Sequence, residues 1–402
     1  MAWKRREFLK GSVATFAAFS LPVAGRAAPR SLVAGAPVLV AVFLRGAADG
    51  LNLVVPHGDP TGRYYELRPT IQVPPGAELD LDGFHGLNPA LADLLPLYQS
   101  GDLAVVHAAG SPHETRSHFE AQDYMERAAP GDPTVLDGWL NRSLGALGVT
   151  ASYEGISINS AKVLALRGGA PSLAFAAISK FRLLGAYQAK RRTAIEAAYN
   201  HVAGTLLGGA VGGAFEAVDL VASVDTTTEV VYPTGKFGDA MRDAAALVKA
   251  DIGVRVLTVD LGGWDTHSNE VVELGDAAGE LGAAIAAFYE DLGTHRSRTL
   301  LLTMSEFGRT AGENGGFGTD HGHANVMFAL GGGLAGGRVI TRDGVWPGLL
   351  PEELYEGRDL AVTTDFRDVF AEILDRHLGI GDLSTILPNF TVDPGNYPGL
   401  FV

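Results

Sequence analysis

Short, continuous apolar segments separated by long helical patterns are the feature that most constrains the fold of this chain. The segments lie at residues 38–44, 103–108, 254–259, 299–304 and 326–330, and several of them are separated by Ala- and Leu-rich periodic stretches. Continuous apolar runs of this length are typical of strands buried on both faces of a parallel sheet. The sequence therefore predicts an α/β fold, with a mostly parallel central sheet and helices on both faces.

The clearest unit of this pattern is a strand–helix–strand crossover, with strands at 254–259 and 299–304 and a helix at about 271–292. Such a unit connects two parallel strands of one sheet. Residues 187–221 also have a helical pattern, but glycines interrupt it. We therefore expect a helical insertion over about residues 170–250, laid on the sheet or capping it, and no separate domain.

The N-terminus has the pattern of an export signal. Arg5 and Arg6 stand in a basic string at 4–10, and an apolar stretch with small residues at its end follows at 11–27. Twin arginines before a short apolar stretch are typical of the twin-arginine route, and the alternative is an ordinary basic amphipathic N-terminus. We expect the twin-arginine translocase to export the chain and a mature protein of residues 28–402 to be periplasmic or otherwise exported.

Charge and composition exclude several classes of function. The net charge is −15 and changes to −19 without residues 1–27, which carry five basic residues and one acid. Such an acidic chain is not expected to bind nucleic acid. The sequence has no cysteine, which excludes disulfides, thiolate ligands and a cysteine nucleophile. No second apolar run is long enough to predict a stable membrane span in the mature chain.

Residues with reactive side chains gather where the predicted strands end. Ligands of open parallel sheets bind beyond the carboxyl ends of the strands, so these positions are the natural candidates for a site. One group of them, at 319–325, differs because it precedes its strand. The residues of interest are Arg45, Asp49, His113, Arg116, Ser117, His118, Asp265, His267, Glu306, Arg309, His321 and His323.

Carboxylates and imidazoles in this set predict a metal site. Asp265 and His267, like His321 and His323, are two residues apart, a spacing that points both side chains to one side of an extended chain. Either pair alone is often incidental, and the pairs gain weight beside Asp49 and Glu306 at other strand ends. The predicted metal ligands are Asp49, Asp265, His267, Glu306, His321 and His323. Without thiols, this donor set suits Zn, Mn, Mg or Ca.

Ser117 has two interpretations. Together with Glu120 it forms the sequence pattern of a capping box that opens a helix over 121–127. A helix start also presents free N–H groups to an anion, so Ser117 is also a candidate nucleophile, with the cap as the favoured interpretation. Arg116 and Arg309 are candidates for binding an anionic substrate, with pairing to surplus acids as the alternative.

Five motifs together carry a resemblance to a known family. They are Phe43-Leu44-Arg45-Gly46-Ala47-Ala48-Asp49-Gly50-Leu51-Asn52, Arg116-Ser117-His118-Phe119, Gly262-Gly263-Trp264-Asp265-Thr266-His267, Ser305-Glu306-Phe307-Gly308-Arg309 and Asp320-His321-Gly322-His323. The chain resembles the bacterial family of domain of unknown function 1501 over almost all of its mature length. Members of that family commonly carry twin-arginine signals, are often labelled sulfatase-like, and are grouped with the alkaline phosphatase and sulfatase superfamily.

The resemblance implies an alkaline phosphatase-like sheet with metal ligands at strand ends and a Ser or Thr nucleophile at a helix start. Asp49 then resembles the metal-binding Asp of the first strand, and Ser117 the nucleophile. Asp265 and His267 resemble an Asp-and-His pair of one metal, although the superfamily usually spaces that pair by three residues and here there is one. His323, or His321, resembles the last His of the superfamily pattern.

One departure from the superfamily pattern leaves two functions open. Glu306-Phe307 falls where an Asp-His pair is usual, and phenylalanine cannot bind metal, so a ligand is missing unless His321 or His323 replaces it. The first function is an exported, metal-dependent hydrolase of phosphate or sulfate esters, acting on a small anionic ester. The second is a non-catalytic periplasmic binding or assembly protein with a protein partner.

Overall fold

The computed structural model describes residues 35–183, 187–199, 202 and 205–401, so the predicted export signal lies outside the described residues. The strands are β1 (Val38–Arg45), β2 (Val54–Val55), β3 (Leu79–Asp80), β4 (Gly86–Leu87), β5 (Leu103–Gly110), β6 (Gly155–Ile158), β7 (Leu173–Phe175), β8 (Val256–Gly262), β9 (Thr299–Met304), β10 (Asn325–Gly331), β11 (Arg338–Ile340) and β12 (Thr364–Asp365). The α-helices are α1 (Gly50–Leu53), α2 (Arg63–Leu67), α3 (Leu95–Gln99), α4 (His118–Arg127), α5 (Trp139–Ala146), α6 (Gln188–Tyr199), α7 (Leu206–Ala222), α8 (Lys236–Lys249), α9 (Glu270–Leu292) and α10 (Phe366–Glu372).

One large sheet contains all five predicted strands. Its order is β11-β5-β10-β9-β1-β8-β6-β7, and β12 also pairs with β5. The paired strands are parallel except where β10 runs antiparallel to β5 and β9. The predicted mostly parallel sheet is confirmed, and the predicted crossover is β8–α9–β9, with β1 lying between its two strands.

The reversed direction of β10 explains why one candidate group precedes its strand. Asn325, the first residue of β10, pairs with Ala109 near the carboxyl end of β5. The start of β10 therefore lies at the edge where the parallel strands end. The segment at 319–325 reaches the same edge as the loops that follow β1, β8 and β9.

Helices cover both faces of the sheet, as predicted, and β1 shows this most simply. Its even-numbered residues from Val38 to Leu44 belong to the apolar core that contains α8 and α9. Its odd-numbered residues from Leu39 to Phe43 belong to a second core, with α5 and α10. Successive side chains of a strand point to opposite faces, so a continuous apolar run is what a strand between two helical layers requires.

The middle of the chain differs in part from the predicted insertion. Strands β6 and β7 extend the sheet beyond β8, which the sequence analysis did not predict. They have only four and three residues, too short for a periodic pattern. Helices α6, α7 and α8 follow, and α8 packs against α9 and β8 as part of the layer that covers the sheet.

A small antiparallel sheet, β2-β4-β3, lies apart from the large one in the pairing scheme. Among the described residues, no helix has both the length and the apolar character needed to cross a bilayer.

Candidate metal centre

Three histidines surround one carboxylate oxygen at the carboxyl edge of the sheet. The Nε2 atoms of His267, His321 and His118 lie 3.1, 3.3 and 3.4 Å from Oδ1 of Asp265. The Nε2 atoms of His267 and His321 are 3.0 Å apart. His118 is the first residue of α4, Asp265 and His267 follow β8, and His321 precedes β10. We call these four residues the histidine–aspartate cluster.

The other ring nitrogen of each histidine faces a hydrogen-bond acceptor. Nδ1 of His118 lies 2.8 Å from Oε1 of Glu306, and Nδ1 of His267 lies 3.2 Å from Oδ1 of Asp320. Nδ1 of His321 lies 2.8 Å from the carbonyl oxygen of Arg116. Because these acceptors take the Nδ1 protons, the hydrogen-bond network assigns the lone pairs to the three Nε2 atoms.

The donor set fits a bound cation. Two Nε2 lone pairs 3.0 Å apart in His267 and His321 cannot hydrogen-bond to each other, and a shared cation relieves their repulsion. Nε2 of His118 is buried without a hydrogen-bond partner. The ligand atoms of His118, Asp265 and His321 all lie within 4.8 Å of one another. Carboxylate or carbonyl acceptors behind ligating histidines are the usual support of metal sites.

Comparison with protein families places the chain in one of them. A family model described as "Protein of unknown function (DUF1501)" matches residues 103–388, more than two thirds of the chain. The chain belongs to the DUF1501 family. The match includes all four residues of the histidine–aspartate cluster. A search of curated proteins found no match.

Several solved structures are similar to this DUF1501 chain. The lipoteichoic acid synthase LtaP from Listeria monocytogenes has a TM-score of 0.40 and 8% identity, over 98% of this chain and 80% of that one. The zinc complex of the C-terminal periplasmic domain of EcEptC from Escherichia coli has a TM-score of 0.38 and 9% identity, over 74% and 73%. A mutant of the alkaline phosphatase PafA has a TM-score of 0.36 and 10% identity, over 73% and 65%. Similarity this weak carries no argument about activity.

Asp265 is held by a buried arginine. Nη2 of Arg309 donates to Oδ1 of Asp265 at 2.7 Å. Partial burial alone would raise the pKa of Asp265, but the contact with Arg309 lowers this pKa to about 2. Nη2 also donates to the carbonyl oxygens of Gly46 and Trp264, and Nε and Nη1 of Arg309 donate to those of Ala47 and Thr319. The side chain of Arg309 is fully buried. It therefore positions Asp265 in this DUF1501 chain and is not available to a substrate anion, contrary to the sequence-based expectation.

Glu306 lies behind His118 and not among the four converging groups. Its side chain is fully buried, and its Oε1 also accepts hydrogen bonds from Gln122 and from the Gly46 N–H. Burial would raise the pKa of Glu306, but the hydrogen bonds from His118 and Gln122 lower it. The hydrogen bond between His118 and Glu306 raises the pKa of His118, which makes its imidazole a stronger ligand for a cation.

Asp49 occupies a different place from the one predicted. Its Oδ2 accepts from Nη1 of Arg68 at 2.7 Å, and its Oδ1 accepts from the backbone N–H groups of Leu51 and Asn52. Both members of the Asp49–Arg68 pair are buried. Asp49 thus caps α1 and neutralises an internal arginine, which leaves neither oxygen free as a metal ligand.

His323 is also turned away from the cluster. Its Nε2 lies 3.0 Å from the carbonyl oxygen of Ser111, and its ring packs on Tyr355 with the centroids 4.4 Å apart. The predicted pairing of His321 with His323 assumed an extended chain, but the backbone bends at His323. The two side chains consequently reach different surroundings.

The predicted capping box does not form. Ser117 occupies the N-cap position of α4, but its side chain makes no capping hydrogen bond. Glu120 instead accepts from the hydroxyl of Thr115 at 2.7 Å. The helix begins at His118 and includes the predicted segment. The Ser117 hydroxyl is half-buried and makes no hydrogen bond within the described part of the chain.

Arg116 is paired internally, whereas a neighbouring arginine keeps a free side. Nη2 of Arg116 donates to Asp359 and Glu356 at 2.6 and 2.7 Å, which matches the alternative of pairing with surplus acids. Nη2 of Arg358 donates to the carbonyl oxygen of His321 and its Nε lies 3.3 Å from Oδ1 of Asp359, whereas its Nη1 makes no hydrogen bond among the described residues. The Arg358 side chain is 41% exposed. Its Nη1 is the part of this cation that the described residues leave free.

Sequence reasoning missed the roles of His118 and Arg358. His118 follows the carboxyl end of β5 as Asp265 follows β8, so the strand-end rule could have included it among the ligands. Nothing local marks Arg358, because its contact with His321 joins residues 37 positions apart.

Proposed function

We propose that this protein is an exported, metal-dependent hydrolase of phosphate or sulfate esters, with one metal ion held by His118, Asp265, His267 and His321. The observation that carries the proposal is the convergence of three histidine Nε2 atoms on Oδ1 of Asp265. The histidine–aspartate cluster lies at the carboxyl edge of a mostly parallel sheet, which is where such folds bind ligands.

Zinc is the metal that the donor set favours. Three imidazole nitrogens and one carboxylate oxygen are typical zinc ligands, whereas Mg²⁺ and Ca²⁺ prefer oxygen ligands alone. Zn²⁺ held by these four side chains would supply a Lewis acid for an ester oxygen by expanding its coordination beyond four. Glu306, Asp320 and the Arg116 carbonyl keep the imidazoles oriented for that ion.

Two further side chains have roles toward the ester. Arg358 holds an anionic oxygen through the side of its guanidinium that the protein leaves free. Ser117 is the nucleophile: its Oγ bonds to phosphorus or sulfur, the alcohol leaves with the serine proton, and water then releases phosphate or sulfate. Two features support this role for Ser117: it immediately precedes His118, and its hydroxyl makes no hydrogen bond among the described residues.

The test combines metal analysis with turnover. Purified mature protein is analysed for metal and assayed with aryl phosphate and aryl sulfate esters, before and after chelation, beside Ser117→Ala, Arg358→Ala and His118→Ala. The hydrolase proposal expects chelation, Ser117→Ala and His118→Ala to abolish turnover, and Arg358→Ala mainly to raise KM. His323→Ala is the matched control and retains metal. Metal-loaded protein without turnover on either ester would refute the hydrolase.

The second candidate function is a non-catalytic metal-binding or assembly protein with a protein partner. Two observations favour it: Arg116 and Arg309 are both used internally, and the Phe307 ring packs 5.0 Å from the rings of both His118 and His321. This candidate predicts the same metal content but no dependence of any ester turnover on Ser117.

The proposed export rests on the sequence of residues 4–27. Arg5→Lys together with Arg6→Lys is expected to leave the precursor in the cytoplasm, because the translocase reads the arginine pair. Cell fractionation checks this, and undiminished periplasmic protein contradicts it.

A further inference from the structure

Exposed large apolar side chains flank residues of the histidine–aspartate cluster along the chain. Eight large apolar side chains are exposed among the described residues, and four of them lie within five positions of His118, His267 or His321. These four, which we call the apolar rim, are Phe119, Val271, Val272 and Phe317, with exposures of 89, 58, 54 and 64%. Exposed apolar groups that gather at one place usually mark a binding surface.

The rim residues are linked to the cluster through the backbone. Phe119 follows His118 directly in α4. The carbonyl oxygen of Phe317 accepts from the N–H of Glu270 at 2.9 Å, and Val271 is the next residue. The rings of His118 and His267 in turn lie 4.3 and 4.7 Å from the ring of His321.

The loop that carries Phe317 is pinned. The side-chain oxygen of Asn314 accepts from the N–H groups of Gly316 and Gly318, and its amide nitrogen donates to the carbonyl oxygen of His267. A Cβ atom added at Gly318 would lie 2.4 Å from the carbonyl carbon of His267, so the loop is pressed onto the segment that carries this ligand. The backbone that carries the exposed ring is therefore held in place.

The backbone of Phe317 is also strained. Its φ is +61°, in the left-handed region where a bulky side chain is an outlier. Such a conformation is unfavourable, and it occurs at ligand sites because the surrounding structure imposes it. Strain and solvent exposure would both be relieved by glycine, the residue type on either side. Phe317 thus combines strain and exposure with a position beside the cluster.

We propose that the apolar rim binds the hydrophobic group of the ligand whose anionic group binds at the cluster, so that the substrate is an ester with an aryl or alkyl group. This inference rests on the proposed function. It follows from the combination of a polar centre with apolar surroundings: a ligand that touches both must itself be amphipathic. Phe317 is then a residue that determines specificity.

Ligand binding tests the rim independently of turnover. Zinc-loaded protein is titrated calorimetrically with phenylphosphonate and with methylphosphonate, which share a head group and differ in the apolar group. The wild type is expected to bind phenylphosphonate roughly 10-fold more tightly, as burial of part of a ring allows. Phe317→Ala should bring the two affinities close together while the methylphosphonate affinity stays unchanged.

Val231→Ala is the matched control. Val231 is 88% exposed, and its neighbour Tyr232 contacts Asp291, 20 residues along α9 from Val271 and thus about 30 Å away. This variant should keep the wild-type preference. The rim proposal is overturned if the preference is absent, if Phe317→Ala retains it, or if neither phosphonate binds.

Two further outcomes separate this inference from its alternatives. A phenyl preference that depends on Phe317 in a protein without ester turnover supports the rim and refutes the hydrolase, whereas turnover without the preference does the reverse. Co-sedimentation with phosphatidylcholine vesicles that Phe317→Ala abolishes, with an unchanged phosphonate preference, would make the rim a lipid contact and overturn the proposal.

Discussion

Nδ1 of His118 lies 2.8 Å from Oε1 of Glu306, 188 residues away in the chain, and this contact turns the Nε2 edge of the imidazole toward Asp265. The carboxylate is fully buried, so its charge is little screened. A carboxylate that accepts from one ring nitrogen of a histidine, and leaves the lone pair of the other nitrogen free, is the usual support of a metal ligand in proteins.

Glu306→Gln is expected to weaken zinc binding about 10-fold without unfolding the protein. The amide oxygen can still accept from His118, and the new amide can donate to the hydroxyl of Ser305, which now lies 3.1 Å from Oε2. What is lost is the negative charge that makes His118 a stronger donor. Competition with a chelator measures the affinity, and the exposed Glu290→Gln serves as control. Equal affinity in all three proteins would show that Glu306 does not support a ligand.

His321→Ala and His323→Ala are expected to differ in metal content. His321 belongs to the cluster, whereas His323 faces Ser111 and Tyr355. Elemental analysis should find about one zinc ion in His323→Ala and almost none in His321→Ala. His323→Ala should instead lose about 1–3 kcal/mol of stability in urea unfolding, because it leaves a buried carbonyl without its donor. Loss of zinc from both variants would contradict the assignment.

Asp49→Asn is expected to destabilise the protein by about 3 kcal/mol and to leave its metal content unchanged. Removing one charge of a buried ion pair strands the other, here the guanidinium of Arg68. Glu66→Gln breaks the exposed pair with Arg63 and should cost under about 1 kcal/mol. Urea unfolding and metal analysis of both variants decide this. A metal-free but stable Asp49→Asn protein would restore Asp49 as a ligand.

Glu270 is expected to make stability fall as the pH rises. Burial, and then the charge of Asp49, raise the pKa of Glu270 above that of an ordinary glutamic acid. The folded protein therefore keeps a proton that the unfolded chain has released, and the free energy of unfolding decreases with pH above the unfolded pKa. Glu270→Gln imitates the protonated acid, so its stability should depend less on pH. Urea unfolding of the two metal-free proteins from pH 5 to 8 measures how the free energy of unfolding changes with pH, and this change should be smaller in Glu270→Gln than in the wild type.

Phe317→Gly is expected to raise the free energy of unfolding by up to about 1 kcal/mol, because glycine removes the strain at φ +61° and little buried area is lost. Phe119→Gly, at a still more exposed phenylalanine in the first turn of α4, should lower it by up to about 1 kcal/mol. Thermal unfolding of both variants shows whether the two changes have opposite signs. A destabilised Phe317→Gly would mean that the ring packs against the protein.

The sequence by itself determined the layers of the fold. Continuous apolar runs predicted the central strands, for example β1 and β9, because a strand between two helical layers needs apolar residues on both faces. The strand-end rule also selected Asp265, His267 and His321, which the tertiary structure brings together. These features depend on burial and local periodicity, which short stretches of sequence encode.

Only the tertiary structure decided the partners of the polar side chains. It brought His118 to the cluster, turned His323 to Ser111, paired Asp49 with Arg68 and used Arg309 to hold Asp265. The local sequence around a histidine or carboxylate is the same whether that side chain is a metal ligand, supports a ligand or neutralises an internal charge. Its role depends on which atoms lie within about 3 Å, and chain packing sets those distances between residues far apart in sequence.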